Sequence, residues 1–262
     1  MAGRGLKGVY AAPALEKAFE IIELLAEHPE GALVSEMAAG LGRSVGELFR
    51  VVIVLERLGY LRKSAVSDRY TVTYRLLELA YRATPAQNLV RAAGPEMQAL
   101  VMKAGQSCHL VTPSGGHGLV VAGEQHPGMR GFSVKIGATV DLVRSCSGHV
   151  LLAFSSPQRA EDILAEAEQE LGEPVDRDAI AKRLKVVRGQ GYDRRKSPIT
   201  YGVTDLSYPV YGFDGTVVAA LTIPFLELID GSQKVGLDAA QEMLREAVAR
   251  ISDRLGRPAT EG

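Results

Sequence analysis

Two cysteines in 262 residues, Cys108 and Cys146, are too few and too far apart for a disulfide framework, and a reducing compartment keeps such residues as thiols in a core or pocket. No apolar run approaches the roughly 18 to 20 residues of a membrane span, and the first residues lack the apolar stretch of a secretory signal. A cytoplasmic location with no membrane partner is therefore expected. Neither sign of charge dominates, and a net charge of −1 argues against a chain that coats nucleic acid indiscriminately, although a local patch can hide in that average. Glycine-rich dinucleotide and phosphate-loop fingerprints are missing, and no cofactor is expected.

Catalytic constellations are missing as well. Cys146 with His149, or Ser145 or Ser147, would be the nucleophiles of an enzyme, and a helix start there can lower a thiol pKa. No glycine-flanked nucleophile elbow or placed acid accompanies them, so the chain does not read as an enzyme. Cys108, His109, His117, His126, Cys146 and His149 lack two matched pairs at zinc-site spacing, so no metal is expected, and a metal-responsive chain remains the alternative reading.

What is present is ordinary in amount and specific in order. Hydrophobic residues at 46% and charged residues at 23% suit a globular protein, and the length fits one small plus one medium domain. Pro13 opens a helix in which Leu15, Phe19, Ile22 and Leu25 form the inward stripe. Ser35 is placed to cap a short second helix, Glu36 to Ala39, which Gly40-Leu41-Gly42 stops. Ser44-Val45-Gly46-Glu47 is a capping box in front of a third helix with the apolar stripe Leu48, Val51, Val52, Leu55 and Leu58, stopped by Gly59. Residues 60–63 and 69–72 then read as two strands flanking a turn, which makes a wing.

A basic excess sits on this third helix and wing, which points to double-stranded DNA. The third helix would enter the major groove with Arg43, Ser44, Gly46, Glu47 and Arg50 at its leading end, while Arg57, Arg62 and Arg69 neutralise phosphates. Arg50 suits a guanine edge, and Arg43 suits a base or a phosphate. Glu47 has two readings, acceptor from a cytosine amine or member of the capping box. A winged helix that binds protein and has lost DNA binding is a further alternative.

Tyr74, Leu77, Ala80 and Tyr81 mark one face of a helix that Thr84-Pro85-Ala86 breaks, and a second helix from about Gln87 is expected to break or kink at Gly94-Pro95. From Ser107 the chain turns to short β-rich runs, 107–112, 118–123 and 132–136, then helices at about 148–154, 157–171 and 176–188. Residues 203–211 and 216–224 form a hairpin across Gly212-Phe213-Asp214-Gly215, followed by a terminal amphipathic helix. The fold class is α/β in its α+β form, with a sheet covered by helices.

Ala14 to Ile22, Leu41-Gly42-Arg43-Ser44, Leu48-Phe49-Arg50, Leu55 to Tyr60 and Arg69-Tyr70 resemble the DNA-binding half of IclR-type (isocitrate lyase regulator) transcriptional regulators. Gly137 to Phe154, Gly191-Tyr192, Gly202 to Val210 and Gly215 to Pro224 resemble their effector domain. The resemblance implies a winged helix-turn-helix at 13–72, linker and dimerisation helices at 73–104 and a GAF-like effector-binding domain at 105–255, between a flexible start at 1–12 and a disordered tail at 256–262. It further implies a homodimer or homotetramer on a palindromic operator, modulated by a small-molecule effector.

Carried over by position, the effector pocket takes Leu142, Cys146, Ser147, Asp205, Ser207 and Thr222. Strand alternation puts Asp205 and Ser207 on one face, where Thr222 can join them. Glu47 stands where many members have Ser or Thr, and Asp205 departs from relatives that hold small anions with neutral donors. A buried carboxylate repels an anion unless it is protonated or paired with Arg144, Arg194, Arg195 or Lys196, which favours a hydroxyl-rich, amine-bearing or zwitterionic effector. A structural hydrogen bond to a nearby loop is the other reading of Asp205.

Overall fold

The computed structural model describes residues 12–83, 86–128 and 131–257. The chain divides into two compact units, residues 1–84 and 85–262. The expected flexible start and disordered tail lie outside the described residues except for Ala12, Gly256 and Arg257, and so does the expected break at Thr84-Pro85. Arg257 lies 4.1 Å over the Tyr211 ring, so the tail is anchored at its first residues.

The first unit is α1 (Pro13–Ala26), α2 (Val34–Leu41), α3 (Val45–Arg57), β1 (Leu61–Lys63), β2 (Tyr70–Val72) and α4 (Arg75–Ala83). Its core gathers Ile21, Leu25, Met37, Leu48, Val52, Leu55, Leu61 and Tyr70. The α1 stripe is corrected: Ile21 and Leu25 are buried, whereas Leu15 and Phe19 are 59% and 55% exposed. Apolar residues run nearly all round this helix, so periodicity alone leaves its buried face open. Likewise Leu58 caps α3 at 54% exposure, outside the stripe of Leu48, Val52 and Leu55. Helix α2 begins one residue before Ser35, because Glu36 supplies the cap by accepting from the Leu33 N–H at 2.9 Å. Strands β1 and β2 pair antiparallel from Leu61 opposite Val72 to Lys63 opposite Tyr70.

The second unit starts with α5 (Ala86–Ala104), which runs unbroken through Pro95. A residue before proline normally leaves the helical region because its Cβ meets the proline ring; Gly94 has no Cβ, so the expected break does not occur. The remaining elements are β3 (Cys108–Ser114), β4 (His117–Glu124), β5 (Thr139–Asp141), α6 (Cys146–Phe154), α7 (Pro157–Leu171), α8 (Arg177–Gln190), β6 (Asp193–Lys196), β7 (Val203–Tyr211), β8 (Val217–Leu226) and α9 (Leu237–Arg254). The antiparallel sheet has the order β5-β4-β3-β8-β7-β6. Residues 132–136, expected as a strand, lie outside it, and the edge is taken by β5 against His117–Leu119.

Alternation divides the sheet side chains between two cores. Leu110, Leu206, Leu221 and Ile223 meet Met97, Leu100, Leu244 and Ile251 of α5 and α9. On the other face Val111, Val120 and Ala220 meet α6, behind which α7 and α8 add Ile163, Leu184 and Val187. Each fully buried Leu or Ile contributes about 1.5–3 kcal/mol. Between α5 and β3, the Gln106 amide donates to the Leu226 carbonyl and accepts from its N–H, both at 3.0 Å, which pins the connector to β8.

Candidate functional site

The leading end of α3 is built by its cap. Ser44 Oγ accepts from the Glu47 N–H, and Glu47 returns the bond to the Ser44 N–H at 3.2 Å. Lys17 also donates to Glu47 at 2.9 Å, and this bond first, with the Ser44 bonds next, holds the Glu47 carboxyl down at about 2. Of its two readings, capping is the one this geometry fills. Ser44, Gly46, Glu47 and Arg50 are all exposed. Gly46 lies one turn before Arg50, and a Cβ added there would meet nothing within 4 Å.

The arginines differ sharply. Arg43 makes a bidentate pair with Glu20, both bonds 2.8 Å, and Arg69 pairs with Glu36 and donates to the Gly31 carbonyl. Arg50, Arg57 and Arg62 are exposed and have no ion pair among the described residues. In the wing, Lys63 pairs with Asp68 at 2.8 Å.

In the second unit a cavity of about 440 Å³ opens on the sheet face beneath the start of α6. Four of the six residues expected there line it: Cys146, Ser147, Asp205 and Thr222. Two do not. Leu142 is buried in the α6 core, its backbone packed so closely on α6 that a Cβ on Gly148 would sit 2.1 Å from the Leu142 carbonyl oxygen. Ser207 is fully buried under the cavity floor, bonded to the Thr222 hydroxyl at 2.9 Å.

The sequence reading missed His109, Asp141 and Ser197 and the apolar wall of Phe132, Val134, Val140 and Ile199. His109 carried a signal, since it is a polar residue on the face of β3 opposite Cys108 and Leu110, in register with Thr222. The wall comes largely from loops, where no periodicity exists to read.

Burial raises the Asp205 carboxyl to about 6, with Asp193 adding to the rise, while the Ser197 hydroxyl and Arg195 pull it down. Burial also takes His109 down to about 4, so its ring is neutral, and its buried Nδ1 has no partner among the described residues. Of the cations read as neutralising Asp205, Arg194 bonds Asp238 at 2.6 Å instead. Arg195 faces Asp205 across the strands but lines a neighbouring cleft, and Arg144 pairs with Glu173 at 2.8 Å.

Cys146 is corrected as well: burial pushes its thiol well above the usual range, opposite to the fall expected of a helix start. His149 does not serve it, because one ring nitrogen meets Asp193 at 2.7 Å and the other meets the Val143 carbonyl at 2.9 Å. Burial raises Asp193, but His149 and Arg183 outweigh it and hold that carboxyl below its usual range. Of the residues weighed as metal ligands, Cys108 packs on the α5–α9 face and His117 pairs with Glu170, and no three potential ligands gather among the described residues.

Residues 81–253 match the family described as bacterial transcriptional regulator IclR C-terminal, and residues 14–65 match the IclR helix-turn-helix domain. The KdgR regulator of Escherichia coli (strain K12) is 26% identical over 92% of this chain and 91% of its own length. The DNA-binding transcriptional repressor YiaJ of the same organism is 23% identical over 90% and 85%. An IclR homolog from Microbacterium hydrocarbonoxydans, solved in complex with 4-hydroxybenzoate, shares the fold with a TM-score of 0.76 at 22% identity, over 92% of this chain and 98% of its own. The chain therefore belongs to the IclR family, whose members are transcriptional regulators rather than enzymes, with a helix-turn-helix DNA-binding domain and a C-terminal effector-binding domain.

Proposed function

We propose that two copies of this protein bind a palindromic operator in the cytoplasm as a homodimer, and that a small molecule in the cavity at Cys146, Ser147, Asp205 and Thr222 modulates that binding. Exposed Arg50, without an ion pair among the described residues and one turn beyond the open surface at Gly46, carries the DNA reading. Gly46 lets phosphate or base edges approach α3 closely, and Arg50 can then span a guanine edge with two hydrogen bonds. Arg57 and Arg62 hold uncommitted charge for phosphates, whereas Arg43 and Arg69 would first have to leave Glu20 and Glu36. Arg43 and Arg69 therefore act chiefly by fixing α1, α2 and the wing.

Pairing follows from the operator, because two recognition helices must be held about one DNA turn apart to read two half-sites. Exposed Tyr74, Leu77 and Leu79 at the start of α4 supply apolar surface for it. The ligand-bound relative supports the cavity reading, since that protein holds 4-hydroxybenzoate on the same fold.

Fluorescence anisotropy with the DNA upstream of the regulator's own gene tests the DNA half. Arg50→Ala is expected to weaken binding about 10- to 100-fold and relax discrimination at one base position, in line with about 1–3 kcal/mol for a bidentate contact. Arg57→Ala and Arg62→Ala should weaken all sequences alike and each lower the salt slope by about 1. Binding indifferent to all three would favour the winged helix as a protein-interaction module. Light scattering of the complex separates a dimer from a tetramer.

A further inference from the structure

Taking the cavity as the effector site, its walls say which chemistry it accepts. Its apolar lining is Phe132, Val134, Val140, Pro198 and Ile199, drawn from both edges of the sheet. Its polar lining includes a strip on the sheet, where His109 lies in register with Thr222 and Thr222 with Ser207, two residues along β7 from Asp205.

The charges on these walls are unequal. Two carboxylates line the cavity, Asp141 and Asp205, against one cation, Arg144. Asp141 is spent on structure, its Oδ1 accepting from the N–H groups of Val143 and Arg144 at 2.7 and 2.9 Å. Arg144 is committed to Glu173 at 2.8 Å, with Asp141 a further 3.8 Å contact. Asp205 has the Ser197 hydroxyl beside it and no ion pair among the described residues. His109 is neutral and has a buried ring nitrogen with no partner among the described residues. An entering carboxylate would face Asp205 with Arg144 paired to Glu173 and Arg195 lining the neighbouring cleft instead of the cavity, while an ammonium or hydroxyl group would meet Asp205 as an acceptor.

We infer that the effector of this regulator is a small non-anionic amphiphile, an apolar ring or chain whose ammonium or hydroxyl end donates to Asp205. The apolar wall takes its body, and a volume of about 440 Å³ limits it to a compound near the lower end of ordinary ligand size.

Matched trios differing only in the end group test this: benzoate, benzyl alcohol and benzylamine, then hexanoate, hexanol and hexylamine, and further trios on cyclohexyl and indole bodies. Full-length protein is titrated by calorimetry and followed by thermal shift at pH 7.5. In at least one trio the amine or alcohol should bind at least tenfold more tightly than the carboxylate, and Asp205→Asn should cut that preference at least tenfold. Asn is isosteric and removes a half-buried charge, so the variant should fold; Asp205→Ser, with the same expectation, guards against an effect peculiar to Asn.

A carboxylate that wins its trio in the wild-type protein overturns the inference and leaves the cavity standing as the effector site. A preference for the amine or alcohol that survives both substitutions also overturns it, because Asp205 is then not the recognising group. Failure of every member of every trio to bind either protein overturns the effector reading of the cavity itself.

Discussion

Asp205 is ionised at neutral pH at a cost to the fold. Its carboxyl sits at about 6 because burial penalises the charged form, against an ordinary value of 3.8. A folded-state pKa above the unfolded one means that the native state holds the proton more tightly. The associated stability is therefore complete below about pH 3.8, is lost as pH rises towards 6, and is flat above. Asp205→Asn removes the loss, so its melting temperature should match wild type near pH 4 and exceed it at pH 7.5. Discounting for the half-exposed position, the gain is on the order of 1 kcal/mol, or about 2–4 °C for a domain of this size. A gain equal at both pH values would remove the titration argument. The same residue shows what sequence can reveal: a carboxylate on a core-facing strand position is legible as a local inconsistency, and Thr222 follows from the paired strand. Ser207 lies one layer below the cavity, because alternation gives a side chain's direction and not whether a void meets it, and Leu142, carried over by position from the resemblance, packs in the α6 core instead. The ion pairs of Arg43 and Arg69 were not legible because their acidic partners, Glu20 and Glu36, lie 23 and 33 residues away in the chain.

Among the elements, α3 was the most legible, because a capping box and an apolar stripe agree on its start and face. Helix α5 was the least, since Gly94-Pro95 reads as a break in the chain and proves to be tolerated in the helix. The β5 edge was displaced for a different reason: 132–136 has strand composition but no partner, and strands exist only in pairs. Helix α6 depends on close approach rather than on propensity, with Gly148 seated on the Leu142 backbone. Gly148→Ala must push that contact apart, and overpacking of this kind costs about 1–3 kcal/mol. Chemical denaturation should show that loss. Because Leu142 joins β5 to the Cys146–Ser147 end of the cavity, the variant should also bind the preferred trio member more weakly. Full stability in the variant would mean that the loop yields without cost.

At the scale of the molecule, the proposed regulation requires that the ligand favour one arrangement of the proposed dimer, and typical coupling changes operator affinity about 5- to 150-fold. The route along the backbone is short. His109 of the cavity wall lies five residues beyond Ala104, the last residue of α5. Inserting two glycines between Ala104 and Gly105 should leave operator affinity without ligand, and ligand affinity without DNA, within about twofold of wild type. It should abolish the effect of ligand on operator binding, measured by anisotropy with and without the preferred trio member. Coupling that survives would send the signal through another contact. The uninterrupted passage of α5 through Pro95 then acquires a mechanical meaning. Nineteen helical residues make a strut about 28 Å long. Its near end is riveted by the Gln106 amide to the β8 backbone, two residues from Pro224 on the cavity wall. On the proposed coupling a nudge at the ligand would travel along a stiff member, because the place where the sequence seemed to install an elbow has none.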